Sequence, residues 1–184
     1  VRAGVDLVGH ANYLDDEAVA LLADRKDEVF VGPALTWEIC YLTHCESIGV
    51  SKQTVIDQGY KREIEATVET VAKLRKASIR MVVGGDYGIS IAPHGTYAKD
   101  LEYFVEYFDM RPLEALMCAT NYGGLAFDPA GSVGTLTEGS FADLVIIDGQ
   151  PDQDIRVLQA HDRLTVMKGG VIYKGLANPN PYLA

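Results

Sequence analysis

Long apolar runs, a framework of cysteines and an excess of positive charge are all missing from this sequence. No uninterrupted apolar stretch approaches the roughly 18 residues that a membrane-spanning helix needs, so we expect no membrane partner. Lys and Arg number 16 against 26 Asp and Glu, which gives a formal net charge of −10. Because nucleic acid repels a protein of this charge, we expect no nucleic-acid partner either.

The three cysteines are too few and too irregularly spaced to form a disulfide framework. An odd count of this kind predicts a reducing compartment, and hence a cytoplasmic protein. Residues 1–4 show no signal-peptide pattern, and the glycine fingerprint of nucleotide sites is missing. What is present is an ordinary globular composition, with 48% apolar and 23% charged residues in a chain of 184. Such a chain is long enough to bury a core.

Short apolar runs alternate with helical patterns over the first two thirds of the sequence. Residues 5–10, 29–35 and 79–86 are predicted to be buried strands because their apolar residues are nearly continuous. Helical spacing predicts one long helix over residues 52–76 and another over residues 97–108. Two further helices are predicted, one after a cap at residues 14–17 and one starting at Pro112. This alternation predicts an α/β fold with a parallel sheet covered by helices.

Two segments depart from this regular alternation. The stretch that carries Trp37, Cys40, His44 and Cys45 is predicted to be a long loop. After about residue 127, glycine-rich turns separate short strands, and Gly169-Gly170 lies between two of them as a hairpin signal. We therefore divide the chain into an α/β part, residues 1–127, and a β-rich segment, residues 128–184, whose residues 178–181 are expected to be extended.

His10 and Asp86 are the main candidates for chemistry, because they follow the first and third predicted strands. The carboxyl ends of parallel strands share one edge of a sheet, where catalytic groups of α/β barrels lie. An imidazole and a carboxylate that converge there are suitable ligands for a catalytic divalent metal such as zinc. Two other readings stay open, a structural histidine and an aspartate that caps the following loop.

Three further residues are candidates for substrate binding. His94 could contact the substrate, or it could pack in its loop near a helix start. Tyr87 and Trp37 could border the mouth of a pocket, or they could pack beneath a loop as ordinary aromatic residues.

Four passages resemble the C-terminal portion of the amidohydrolase superfamily, and the Ala-Asp-Leu-Val pattern at residues 142–145 is quite specific. The nearest subgroup is similar to imidazolonepropionase-like enzymes and Xaa-Pro dipeptidases. The passages are residues 3–10, residues 84–88, residues 93–95 with 100–102, and residues 112–120 with the tail segments 131–139, 142–145 and 167–170.

This resemblance implies part of a TIM-type (β/α)8 barrel, about strands 6–8, followed by part of a small β-sandwich domain. It implies that His10 binds a divalent metal, with zinc expected and one or two ions in the complete enzyme. Asp86 would be both a metal ligand and the proton shuttle. The implied activity is hydrolysis of an amide-type C–N bond by metal-activated water, in a cyclic amide, a dipeptide or another small molecule.

The sequence also departs from the superfamily's pattern. It has no His-x-His on a first strand, no lysine or acid on a fourth strand and no histidine on a fifth. We therefore expect a C-terminal portion whose isolated chain is inactive, or one chain of a split hydrolase that receives its N-terminal half in trans. The alternatives are a non-catalytic module that self-associates as a homo-oligomer, and a deaminase or isomerase on the same scaffold.

Overall fold

The computed structural model describes residues 1–175, and the predicted extended end at residues 178–181 lies outside them. Three short strands, β1 (Leu7–Val8), β2 (Phe30–Val31) and β3 (Arg80–Met81), pair in parallel in chain order. The predicted α/β fold with a parallel sheet is therefore confirmed. Each strand is shorter than the apolar run that predicted it, because only two residues of each run join the ladder.

The two faces of this sheet differ in how deeply they are buried. Val31 and Met81 pair in register and belong to the main core beneath the helices, where both are almost fully buried. The opposite face carries the register row Leu7, Phe30 and Arg80. Leu7 on this face is 56% exposed. Phe30 in the same row is buried, with the guanidinium carbon of Arg80 lying 4.4 Å from its ring centroid, so this face is exposed mainly at β1.

Seven helices accompany the sheet in the part of the chain that the structure describes. Asp15 caps the first one by accepting a hydrogen bond from the backbone N–H of Ala18 at 2.8 Å. Within residues 1–175, no helix has the length and apolarity needed to cross a bilayer. The helices are α1 (Asp16–Ala23), α2 (Leu35–His44), α3 (Lys52–Asp57), α4 (Tyr60–Lys76), α5 (Ala98–Tyr107), α6 (Pro112–Ala119) and α7 (Asn121–Phe127).

The prediction of a long loop after β2 is wrong. Helix α2 and a 3₁₀ helix, Cys45–Ile48, occupy that segment. Leu35 and Ile39 are four residues apart on the buried face of α2, so the helical spacing was present. The sequence did not predict a helix because the β-branched and aromatic residues between Leu35 and Ile39 have low helix propensity.

The prediction of one helix over residues 52–76 is also corrected. The segment forms α3 and α4, which are separated at Gly59. Gly59 has a φ of 91°, a left-handed conformation that ends one helix and that glycine adopts without steric cost. The helices predicted over residues 97–108 and from Pro112 are confirmed by α5 and α6.

The tail forms a separate antiparallel sheet. Its strands are β4 (Leu144–Ile147), β5 (Leu164–Lys168) and β6 (Val171–Lys174), in the order β4-β5-β6. Gly169 and Gly170, both with positive φ, connect the last two strands, so the predicted hairpin is confirmed. Between β4 and β5 lie two 3₁₀ segments, Ile155–Gln159 and His161–Arg163, and buried Ile155 joins the main core.

Candidate active site

A cavity of about 460 Å³ opens at the carboxyl ends of β1 and β3. It brings together four of the five predicted site residues: His10, Asp86, Tyr87 and His94. Trp37 is not among the residues that line it. The complete lining is His10, Val83, Gly84, Gly85, Asp86, Tyr87, His94, Tyr97 and Asp100.

His10 lies two residues beyond β1 and is exposed. Its Nδ1 atom lies 3.2 Å from the carbonyl oxygen of Gly32, which follows β2. Because a carbonyl oxygen only accepts hydrogen bonds, Nδ1 is the protonated nitrogen in this contact. The neutral imidazole then has its lone pair on Nε2, which is the arrangement that a metal-binding histidine requires.

Asp86 is exposed and lies in a close-packed turn after β3. Its φ of 54° is in the left-handed region, which aspartate tolerates better than most residues. Gly84, two residues before it, packs directly on Gly32, and a Cβ on Gly84 would lie only 2.9 Å from the Gly32 carbonyl. Absence of a side chain at Gly84 therefore lets the two strand extensions meet.

Tyr87 and His94 border the same cavity through aromatic contacts with Tyr97. The ring of Tyr87 meets that of Tyr97 edge-on, with centroids 4.9 Å apart. His94 Nδ1 lies 2.9 Å from the Tyr97 hydroxyl oxygen. Burial raises the pKa of the Tyr87 hydroxyl, so this group is a neutral hydrogen-bond donor at physiological pH.

Trp37 lies on α2, where its ring stacks on Tyr41 with centroids 5.4 Å apart. It packs with Tyr87 against a small buried group formed by Cys40, Ile91 and Ala92. Trp37 and the cavity residue Tyr87 therefore share this buried group as a packing partner. Its predicted contact with substrate stays a prediction.

Asp100 is a cavity residue that the sequence reasoning did not single out. It lies in the first turn of α5 and is only 1% exposed. Its Oδ2 accepts the backbone N–H of Gly85 at 3.0 Å, and its Oδ1 accepts the hydroxyl of Thr36. Burial raises the pKa of the Asp100 carboxyl to about 6, although these hydrogen bonds act in the opposite direction.

The Tyr87 hydroxyl oxygen lies 3.4 Å from Thr36 Oγ1, which extends this network. Asp100, Thr36, Tyr87 and Gly85 together form what we name the Asp100 cluster. A sequence signal for it existed, because Asp100 is four residues before buried Phe104 on the apolar side of its helix. A carboxylate at such a position must be hydrogen-bonded to be tolerated.

A second buried carboxyl group supports the loop that follows β1. Glu38 on α2 is 1% exposed and accepts hydrogen bonds from Asn12 Nδ2 at 2.8 Å and from the Thr67 hydroxyl at 3.1 Å. Asn12 Nδ2 also donates to Glu63 at 2.8 Å. Burial raises the pKa of the Glu38 carboxyl to about 7. Glu38, Asn12, Thr67 and Glu63 form the Glu38 cluster.

The fit of a metal ion to this site is partial. His10 and Asp86 have the donor chemistry of zinc ligands and line one cavity. Within residues 1–175, however, no three His, Cys, Asp or Glu side chains come together in a way that could hold a metal. Catalytic zinc usually has three protein ligands, so the described residues provide an incomplete set.

Comparison with known proteins shows similarity along nearly the whole chain. The model of the amidohydrolase family matches residues 5–173. Ochratoxinase from Aspergillus niger is 30% identical over 177 residues, which are 95% of this chain and 35% of that protein. The crystal structure of A. niger ochratoxinase superimposes with a TM-score of 0.78 and 27% identity, over 95% of this chain and 38% of that one.

A prolidase complexed with N-methylphosphonate-L-proline gives a similar result. Its TM-score is 0.79 at 26% identity, and the match covers 94% of this chain and 41% of that one. The chain therefore spans about two fifths or less of the length of these relatives. Its fold corresponds to a portion of their TIM-type barrel. Because the family model covers most of the sequence, the chain belongs to the amidohydrolase family.

Proposed function

We propose that this chain supplies the His10 and Asp86 side of an active site that hydrolyses an amide-type C–N bond. The observation that carries the proposal is the shared cavity at the strand ends, which is lined by His10, Asp86, Tyr87 and His94. Membership of the amidohydrolase family supports the reaction class. Two other expectations remain predictions: the division of the chain into residues 1–127 and 128–184, and the cytoplasmic location.

His10 Nε2 and the Asp86 carboxylate would hold a divalent metal, with zinc favoured by the nitrogen and oxygen donors. A bound zinc ion lowers the pKa of its water and so supplies a nucleophile near neutral pH. The complete enzyme would hold one or two ions. Further ligands would come from the rest of the barrel, either in the same polypeptide or in trans.

Asp86 would act as the proton shuttle of the reaction. Its exposed carboxylate faces the cavity, where it accepts a proton from the attacking water and delivers that proton to the leaving nitrogen. His94 would hydrogen-bond the carbonyl oxygen as negative charge develops on it. Tyr87 would border the substrate, and Trp37, which does not line the cavity, would contact only a part of the substrate that extends beyond it.

The substrate would be a small molecule with an amide-type bond, either a cyclic amide or a dipeptide. Two relatives provide specific probes, since one is named for ochratoxin and another binds a phosphonate on the nitrogen of proline. Tetrahedral phosphorus in that position has the geometry of an amide carbon during attack by water. Ochratoxin and Xaa-Pro dipeptides are therefore the first compounds to assay.

The test is an Asp86→Asn substitution in a complete enzyme that contains this segment. We expect hydrolysis to fall by roughly 10³-fold, because the amide cannot accept the proton, while the fold is retained. Asp109→Asn is a matched control, because Asp109 is also an exposed aspartate with a left-handed φ, of 53°, and is not among the cavity residues. Near-normal turnover by Asp86→Asn would exclude the shuttle role.

The isolated chain is expected to bind zinc weakly and to hydrolyse none of these compounds, because two ligands do not complete the site. Elemental analysis that finds about one tightly held metal per chain would contradict this expectation. If the metal-loaded complete enzyme released ammonia from amino-substituted rings, its activity would be that of a deaminase and not that of an amide hydrolase.

A second candidate function is self-association without catalysis. The observation that favours it is the apolar tail sheet, on which four aliphatic side chains are each more than half exposed: Val145, Ile146, Val171 and Ile172. Consecutive strand residues point to opposite faces, so both faces of this sheet expose apolar side chains, and exposed apolar surface commonly marks protein interfaces. Sedimentation of the isolated chain tests this candidate, and a monomer at all concentrations would exclude it.

A further inference from the structure

The backbone around Asp86 needs an explanation, because its left-handed φ of 54° carries a steric cost for any residue with a side chain. Such a conformation persists only where neighbouring contacts determine it. Asp86 itself is exposed, so these contacts must come from the residues on either side of it.

Gly85, on one side, is held by Asp100. Its N–H donates to Asp100 Oδ2 at 3.0 Å. A Cβ on Gly85 would overlap the Asp100 carboxylate, with one oxygen only 2.7 Å away. The carboxylate therefore occupies the space beside Gly85 and also provides the acceptor for its N–H.

Tyr87, on the other side, reaches the same network. Its hydroxyl oxygen lies 3.4 Å from Thr36 Oγ1, and the Thr36 hydroxyl donates to Asp100 Oδ1. Asp100 lies on α5 and Thr36 on α2, so side chains from two helices support the turn. The residues before and after Asp86 are thus connected to one buried carboxylate.

We propose that Asp100 is a positioning residue for Asp86, because it holds the Gly85–Tyr87 turn in the conformation that presents the Asp86 carboxylate to the cavity. Asp100 itself contacts the turn and not the reacting atoms. The inference rests on the proposed function for the role of Asp86. The geometry of the turn, in contrast, can be tested independently of any reaction.

The test compares two substitutions in the 184-residue chain. Asp100→Asn keeps an oxygen for the Gly85 N–H, while its amide can donate to Thr36, so the turn should be retained. Asp100→Ala removes the acceptor. In amide exchange measured by NMR, we expect the Gly85 N–H to exchange at least tenfold faster in Asp100→Ala and within about threefold of wild type in Asp100→Asn, since the lost bond exposes this amide.

A zinc titration followed by NMR provides the second readout. Loss of a group that orients a ligand typically lowers metal affinity by roughly 10- to 100-fold, which is the loss expected for Asp100→Ala. Cys118→Ala is the control, because it also removes a buried side chain but is not a cavity residue at this end of the sheet. Its zinc affinity and Gly85 exchange should match those of wild type.

Asp86→Asn and His10→Ala in the same titration separate the two proposals. If neither substitution weakened zinc binding, the proposed metal role would be lost, and Gly85 exchange alone would decide whether Asp100 holds the turn. If both weakened it and folded Asp100→Ala did not, the positioning role would be overturned. Should Asp100→Ala fail to fold, Asp100→Leu replaces it, because leucine fills a similar space without an acceptor for the Gly85 N–H, and unchanged Gly85 exchange and zinc affinity in that variant would likewise overturn the role.

Discussion

The two proposed metal ligands are supported by buried carboxyl clusters that differ in kind. The Asp100 cluster contains one carboxyl group, which neutral donors satisfy and which packs directly against a glycine. The Glu38 cluster contains two carboxyl groups, Glu38 and Glu63, that share the amide of Asn12 two residues after His10. The turn at Asp86 is therefore held by close packing and by hydrogen bonds from neutral donors, whereas the loop at His10 is held by an amide between two carboxyl groups, of which Glu38 has a raised pKa.

The first prediction breaks the close packing of the Asp100 cluster. Gly85→Ala should lower the free energy of unfolding by about 3 kcal/mol, because its Cβ overlaps the carboxylate of a rigid helix. Gly32→Ala is the control, since a Cβ there would meet its nearest atoms at 3.6 Å, an ordinary contact, and should cost under about 1 kcal/mol. Urea denaturation measures both, and equal losses would contradict the difference in packing.

The second prediction concerns the proton dependence of the Glu38 cluster. Burial raises the pKa of Glu38 from 4.5 to about 7. The folded state therefore binds this proton more tightly than the unfolded state does. Its contribution to stability is complete below pH 4.5 and is lost as the pH rises to about 7, with a slope of at most about 1.4 kcal/mol per pH unit.

Glu38→Gln removes this titration while keeping an acceptor for Asn12. We expect the variant to be more stable than wild type by about 1 kcal/mol at pH 8 and to show a flatter stability profile between pH 6 and 7. The Asp100 carboxyl, whose pKa is about 6, contributes mainly below that interval. Urea denaturation across pH 5–8 provides the measurement, and an unchanged slope would show that Glu38 does not carry the proton.

The third and smallest prediction tests the outer contact of the Asp100 cluster. Tyr87→Phe removes a hydroxyl whose oxygen is 3.4 Å from Thr36 Oγ1, a long hydrogen bond. The ring and its edge-on contact with Tyr97 remain. We expect a loss of about 0.5 kcal/mol in the free energy of unfolding. A loss above about 2 kcal/mol would place Tyr87 among the main supports of the turn.

Much of the fold could be predicted because the apolar runs have a strong local pattern. The runs that contain β1, β2 and β3 are continuous and short, and the tail hairpin has a Gly-Gly signal at residues 169 and 170. His10 and Asp86 were found because each follows such a run, where a polar residue is unusual. Asp100 and Glu38 were missed because burial of a carboxyl group depends on partners that are distant in sequence.

Helix α2 shows most clearly where the local pattern was insufficient. It was predicted to be a loop, yet it carries Thr36 of one cluster and Glu38 of the other. These two residues are adjacent on the helix to Trp37, the one predicted site residue that does not line the cavity. The local sequence has weak helix propensity, and the helix is stabilised by tertiary contacts. Its apolar face is buried and its polar side chains find hydrogen-bond partners only in the folded chain.

The sequence by itself determined the family resemblance, the parallel order of the first three strands and the two residues placed at their ends. These features follow from local hydrophobic pattern and motif, which act between near neighbours in the chain. Only the tertiary structure decided that Asp100 lies beneath the Asp86 turn and that Asn12 links Glu38 with Glu63. Such contacts join residues that are 15 to 51 positions apart, and their energy exists only when the folded chain excludes water from them.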